Sequence, residues 1–174
     1  TVISTNTLEK PASACVLNSN EAFIVSVKNI GTDILKVGNR IGLESKFNSQ
    51  VLADEVFELT RDLNPGDTLI LTSDELLNLS AVTSYSIEIK PYLLLEKKYY
   101  YDSVTYTVYH HPTPVIALSQ SDTIKTISPV TLDAPSGNYS YLWNDLSTSS
   151  SLLANSVGWK SVRVTSQYGC ASSD

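Results

Sequence analysis

Eight consecutive residues do most to limit what this chain can become. In Ala22-Phe-Ile-Val-Ser-Val-Lys-Asn29, Phe23, Val25 and Val27 fall on one side of an extended backbone and Ile24, Ser26 and Lys28 on the other. Period-two alternation places one set of side chains on each face of a strand, so this stretch predicts a strand with one buried face. The same pattern returns at Ile41, Leu43, Ser45 and Phe47, at Tyr85, Ile87 and Ile89, and at Val104, Tyr106 and Val108. Thr1 to Leu8 alternates more weakly and predicts an edge strand that Lys10-Pro11 ends. Asn48-Ser-Gln50 reads as a hairpin loop leading into a strand over 51–59. Asn64-Pro65-Gly66-Asp67 is a turn with proline at its second position and glycine supplying positive φ at its third; a short strand, Thr68 to Thr72, follows. The expected architecture is all-β.

One segment predicts a helix. In Ser73-Asp-Glu-Leu-Leu-Asn-Leu-Ser80 a serine stands at the N-cap position, and Asp74 and Glu75 would face the positive end of the helix dipole. It would make about two turns, the length of a sandwich crossover.

His110-His111-Pro112-Thr113-Pro114 interrupts the strand pattern. Two prolines in three residues remove backbone donors and disfavour helix, giving a stiff extended link. The domain boundary is expected there, dividing the chain into residues 1–112 and 113–174. In the second part Thr131-Leu132 closes one strand, Tyr141-Leu142-Trp143 forms another, and Val162 and Val164 alternate on a third, in the run Gly158-Trp-Lys-Ser-Val-Arg-Val-Thr165. All of these read as the inside of a small sandwich with Trp143 at its centre. After Cys170 only Ala171-Ser-Ser-Asp174 remains, so this part is expected to lack its last strand, with an open edge or an early stop. A chain with no methionine is expected to be an excerpt of a longer protein.

Composition narrows the function. Twelve basic residues against 18 acidic ones give a net charge of −6, and no lysine–arginine stripe exists to hold a phosphate backbone, which excludes a nucleic-acid partner. No window of 18 apolar residues is present, so no membrane insertion is expected, and Thr1-Val-Ile-Ser-Thr has no basic region ahead of an apolar one. Cys15 and Cys170 stand 155 positions apart, with no histidine or second cysteine at metal spacing. A bridge between them is not predicted, and they read as two isolated thiols.

Candidate chemistry is sparse. The acidic pairs Asp54-Glu55 and Asp74-Glu75 are sequence neighbours, which in a strand point to opposite faces, whereas glycoside hydrolysis needs two acids converging on a cleft. Only His110 and His111 could serve a serine triad, and no Gly-x-Ser-x-Gly elbow occurs. The same two histidines lack a carboxylate or thiol at ligand spacing. Asp33, Asp102 and Asp122 with loop carbonyls could assemble an interdomain calcium site, though no Asp-x-Asp-x-Asp-Gly loop is present. The reading is therefore of a non-enzyme with no catalytic residues, no cofactor and no assigned metal. Tyr99, Tyr100 and Tyr101, with Tyr92, Tyr106 and Tyr109, are the candidate binding residues. Their rings could stack on a polysaccharide, and cross-strand tyrosine pairing on a half-solvated sheet face would give the same composition.

Residues 114–174 resemble the Ig-like/PKD-like modules of large secreted Bacteroidetes surface proteins. The resemblance lies in Pro114-Val115, Asp122-Thr-Ile124, Val130-Thr-Leu-Asp-Ala134, Tyr141-Leu-Trp143 and Tyr168-Gly-Cys170. Those modules commonly carry a first cysteine where this chain has Lys125, which implies that Cys170 lacks its usual partner. The first part is similar to the adhesion-related CARDB-like sandwich through Val25-Ser-Val-Lys-Asn-Ile-Gly31, Leu63-Asn-Pro-Gly-Asp67 and Tyr85-Ser-Ile-Glu-Ile89. Together these resemblances imply two tandem Ig-like β-sandwich domains in an extracellular, cell-surface adhesin exported by type IX secretion. The modules would build an extended filament for adhesion or gliding motility, with neighbouring domains of the same chain as partners and a surface polysaccharide as a candidate partner. The alternative is a carbohydrate-binding or accessory module of a secreted enzyme. Asp67-Thr68-Leu69, Asp102-Ser103-Val104 and Asp122-Thr123-Ile124 fit the Asp-Ser/Thr-aliphatic pattern of O-glycosylation in such proteins, making Thr68, Ser103 and Thr123 candidate acceptors. Such tripeptides also arise easily in a Ser/Thr-rich β protein.

Overall fold

The computed structural model describes residues 3–94, 103–119 and 123–174. Among them every regular element is a strand, and the chain divides into two compact units, Thr1–His110 and His111–Asp174.

Unit 1 is a sandwich of two antiparallel sheets. One has the order β1–β2–β6, from β1 (Ile3–Lys10), β2 (Glu21–Asn29) and β6 (Thr68–Leu77). In the other, β3 (Arg40–Phe47) pairs with β4 (Gln50–Val51), β5 (Glu55–Glu58) and β7 (Ser84–Leu93), and β7 pairs with β8 (Val104–Tyr109). The alternation of β2 is realised: Phe23, Val25 and Val27 are buried in a core with Leu71 from the same sheet and Ile41, Leu43, Ile87, Ile89 and Val108 from the other. The β3–β4 loop is Asn48-Ser49, both at positive φ (48° and 69°), as a tight hairpin with the right twist requires. Asn48 then fixes the hairpin tip to β7, since its backbone N–H donates to the Ser86 carbonyl and its Oδ1 accepts from the Ser86 N–H, both at 2.9 Å. The stretch expected as one strand over 51–59 is interrupted, with β4 and β5 pairing separately with β3.

The predicted helix at 73–80 does not form. Strand β6 runs on to Leu77, with Leu71, Ser73 and Leu77 buried at period-two positions, and Ala22 and Glu21 pair with Leu76 and Leu77. Two tertiary effects override the local capping signal. Leu77 and Leu79 are needed in the core, and Glu55 supplies from β5 the acceptor that a helix turn would otherwise provide. Its Oε1 accepts from the Ser73 hydroxyl at 3.0 Å and from the backbone N–H groups of Asp74 and Glu75 at 2.6 and 3.1 Å.

Unit 2 is smaller. A three-stranded sheet β10–β12–β13, from β10 (Tyr139–Trp143), β12 (Val162–Ser166) and β13 (Ala171–Ser173), is accompanied by the pair β9 (Val130–Asp133) and β11 (Ser151–Ala154). Its core is Leu132, Ala134, Trp143, Leu152, Val162 and Val164. The residues after Cys170, expected to form no strand, make β13, pairing Ala171–Ser173 with Thr165–Arg163. Gly169 at φ 82° makes the tight return possible. Both cysteines are disulfide-bonded, so the expectation of isolated thiols is corrected. Separation along a sequence carries no information about where folding places two Cβ atoms.

Each unit contains a tyrosine whose hydroxyl bonds back to upstream backbone, a device of Ig-like sandwiches. Tyr85 donates to the Ala81 carbonyl at 2.7 Å and Tyr141 to the Pro135 carbonyl at 2.9 Å.

Candidate functional site

Tyr99, Tyr100 and Tyr101 lie outside the described residues, as do Asp102 and Asp122. Tyr92 and Tyr106 point to opposite faces of their sheet. Tyr106, opposite Ile87, packs against the core, and burial raises its phenol pKa, helped by the negative charge of Glu9. Tyr92, opposite Gly42, lies on the outer face, and its hydroxyl donates to Asp54 Oδ2 at 3.3 Å. Tyr109 is 48% exposed at the far end of β8.

The two acidic pairs, expected to diverge, are brought together. Asp54, Glu55, Asp74 and Glu75 line an open cleft of ≈ 450 Å³ with Val56 and Phe57. Two of these carboxylates hold structure there, while Glu55 Oε2 is buried without a hydrogen-bond partner among the described residues. Glu55 Oε1 clasps the β6 backbone, and Asp54 accepts from Tyr92. His110 Nδ1 lies 2.8 Å from the Leu79 carbonyl, and the ring of His111 stacks on Tyr168 with centroids 4.0 Å apart. Among the described residues no three His, Cys, Asp or Glu side chains are grouped to hold a metal ion, and no helix is long and apolar enough to cross a membrane. The candidate acceptors Thr68, Ser103 and Thr123 are all solvent-exposed.

At one tip of unit 2 the β10–β11 and β11–β12 loops meet. Asn144 joins them. Its backbone N–H donates to the Ser161 carbonyl at 2.9 Å, its Nδ2 to the Trp159 carbonyl at 3.0 Å, and its Oδ1 accepts from the Ser161 N–H at 3.3 Å. On these tied loops Leu146 is 79% exposed, Val157 102% and Trp159 87%. Trp159, read from sequence as part of the inside of the sandwich, is on the outside. The signal was present in the parity of β12: Val162 and Val164 are buried, so an odd-numbered residue ahead of them shares the outward face of Arg163.

No protein-family model matches the sequence, and no curated protein matches it. Among solved structures, the chain is similar to the crystal structure of the C-terminal 282-residue fragment of intimin in complex with the intimin-binding domain of the translocated intimin receptor. The TM-score is 0.54 at 11% identity, over 98% of this chain and 62% of that one. At that identity the likeness concerns the fold, and it defines this chain as a pair of Ig-like β-sandwich units.

Proposed function

We propose that the chain is a pair of tandem β-sandwich modules of a cell-surface adhesin, and that its work is structural extension and adhesion rather than catalysis. The observation that carries the reading is the fold match, which runs through both units of this chain and onto a fragment of an adhesin crystallised with its receptor domain. Two further features support it. Both cysteines are oxidised, the state favoured outside the reducing cytosol. The side chains most suited to chemistry, Glu55, Asp54 and His110, are engaged in holding backbone or neighbouring side chains. The finer reading is a type IX-secreted surface filament serving adhesion or gliding motility, with O-glycans on Thr68, Ser103 and Thr123.

Antibody raised against the 174-residue chain tests the placement. Labelling of intact native cells, and loss of that label after brief protease shaving, is the expected result; labelling only after permeabilisation overturns it. Fab fragments of the same antibody should reduce attachment to surfaces, and deletion of residues 1–174 from the native protein should do likewise. The intact mass of the native protein decides the glycan assignment, since an unmodified mass removes it.

A further inference from the structure

We infer that unit 2 carries a subsite for one neutral sugar ring, in the cleft between its β9–β10 loop and its β12–β13 turn. Pro112, Asn138, Tyr139, Ser166, Gln167 and Tyr168 line this cleft, whose volume is ≈ 160 Å³. The β10–β12 ladder brings the two walls together. Tyr139 is the register partner of Ser166, so Asn138 and Gln167 follow as neighbours one step beyond the last pair. The inference stands on unit 2 alone and does not depend on whether the chain belongs to an adhesin.

Both walls are held in place by their own hydrogen bonds. In the β12–β13 turn the Ser166 N–H donates to the Cys170 carbonyl at 2.8 Å and the Gly169 N–H to the Ser166 carbonyl at 2.9 Å. Ser166 Oγ also accepts from the N–H groups of Tyr168 and Cys170, at 3.3 and 3.2 Å. On the other wall the Tyr139 N–H donates to the Gly137 carbonyl at 2.8 Å, and the Tyr139 ring lies where a Cβ on Gly137 would meet it. Tyr168 is 55% exposed, and its ring is fixed by stacking on His111 with the two planes 8° apart. His111 does not line the cleft, so Tyr168 offers it a surface that the imidazole leaves open. Groups ordered in advance lose little entropy on binding.

The lining selects the class of ligand. No Lys, Arg, His, Asp or Glu is part of it, so no ion is present to attract a phosphate, a carboxylate or an ammonium group. What lines the cleft is aromatic rings, a proline, and hydroxyl and amide groups. Asn39, Asn48, Asn64 and Asn144 spend their side-chain amides on nearby turns. The side chains of Asn138 and Gln167 make no hydrogen bond among the described residues. A pyranose offers the complement: polarised C–H bonds for the negative face of an aromatic ring, and rim hydroxyls that donate and accept as amides do. The cleft is smaller than the roughly 300–1,000 Å³ of sites for drug-sized ligands, which limits it to about one ring. An extended peptide would need a longer groove. Binding of a single ring is weak, with a Kd on the order of 1 mM.

NMR titration of the ¹⁵N-labelled 174-residue chain tests this. The probes are the methyl glycosides of glucose, galactose, mannose and N-acetylglucosamine, each taken to about 100 mM, well above that Kd. At least one should give saturable shifts centred on the amides of Asn138, Gln167 and Tyr168. Tyr168→Ala should weaken that binding about tenfold or more, as loss of an aromatic anchor does. Tyr168→Phe keeps the ring face and should retain most of it. Asn138→Ala and Gln167→Ala should each weaken it by a few fold. Unchanged dispersion of the other unit 2 amides checks that each variant is folded. Glucuronic acid should bind more weakly than the methyl glucoside. Absence of saturable shifts with all of the glycosides, shifts that Tyr168→Ala leaves unchanged, or a preference for glucuronic acid overturns the inference. Saturable binding of a decaproline peptide in place of any sugar overturns it in favour of a peptide groove.

Discussion

The ring of Tyr92 fills the space that a Cβ on Gly42 would need, with Cζ, Cε1 and Cε2 all inside that volume. The two residues are direct partners across the β3–β7 ladder, and the tyrosine reaches over β3 to Asp54, two residues before Val56, the partner of Gly42 on β5. One aromatic side chain on the outer face thus spans three strands, and it can do so because residue 42 has no side chain. Gly42→Ala must displace the ring from the sheet. The expected cost is about 1–3 kcal/mol, the range for overpacking. A double-mutant cycle separates this from the intrinsic effect of replacing glycine. In a Tyr92→Ala background the same substitution should cost much less in urea unfolding, and equal costs in the two backgrounds would show that the ring is not the obstacle.

Asn29 links the two turns at one end of unit 1. It is fully buried, donates through Nδ2 to the carbonyls of Asp33 (2.9 Å) and Leu63 (3.0 Å), and accepts at Oδ1 from the Gly31 N–H (3.0 Å). Its backbone N–H and carbonyl bond to Asp67 and Gly66 of the opposing turn. Asn29→Ala removes three side-chain bonds at once. At about 1–3 kcal/mol for a buried group left unpaired, unit 1 should lose roughly 3 kcal/mol. Hydrogen exchange should show the loss first at Gly31 and Leu35, and unchanged protection at Leu35, whose N–H donates to Leu63, would contradict the linking role.

Much of this was legible in the sequence where local chemistry and tertiary demand agree. The alternation around Phe23, Val25 and Val27 fixes a face, and Pro65-Gly66 fixes a turn whose glycine sits at φ 88° with the expected Asp67 N–H to Asn64 carbonyl bond. The reading failed where distant residues decide. Ser73-Asp74-Glu75 carries a helix-cap signal, but the acceptor for those donors is Glu55, 18 to 20 residues away. Strand β11, Ser151–Ala154, is a short run of serine, leucine and alanine whose pairing with β9 no local pattern announces. Composition counts tyrosines together, whereas parity puts Tyr92 and Tyr106 on opposite faces of their sheet.

Acid should destabilise unit 1 through three half-buried carboxylates. Asp62 is held below its ordinary 3.8 chiefly by the Val37 N–H, then by Lys36. Asp67 is held below the same value chiefly by the N–H and amide of Asn64, with Arg61 nearby. Glu88 is held below 4.5 chiefly by the Ser103 hydroxyl, then by Lys46. A carboxyl whose folded pKa is depressed stabilises fully above its unfolded value and loses that contribution as pH falls through the folded one. The urea midpoint of unit 1 should therefore be insensitive to these groups above about pH 5 and fall from about pH 4.5 downward. Asp62→Asn should flatten that fall, and added salt should flatten it too by screening the Lys36 and Lys46 pairs. A midpoint that rises on acidification would reverse the assignment.

Trp143 carries unit 2. It is 1% exposed among Leu132, Ala134, Leu152, Val162 and Val164, and its indole N–H donates to the Ser149 carbonyl at 2.8 Å, tying the loop before β11 to the end of β10. Trp143→Ala removes the largest side chain of a core with six buried members, at a cost of about 3–5 kcal/mol. A sandwich of this size rarely has more than about 3–5 kcal/mol to lose, so unit 2 should unfold. In a ¹H–¹⁵N spectrum the amides of 111–174 should collapse toward random-coil positions while those of unit 1 keep their dispersion, and limited proteolysis should cut within 111–174 first. Trp143→Phe keeps the ring and loses the Ser149 bond, worth about 1 kcal/mol, so it should remain folded with a lower midpoint. Retained dispersion in Trp143→Ala would mean that the core can close around the cavity and that the tryptophan is not its centre.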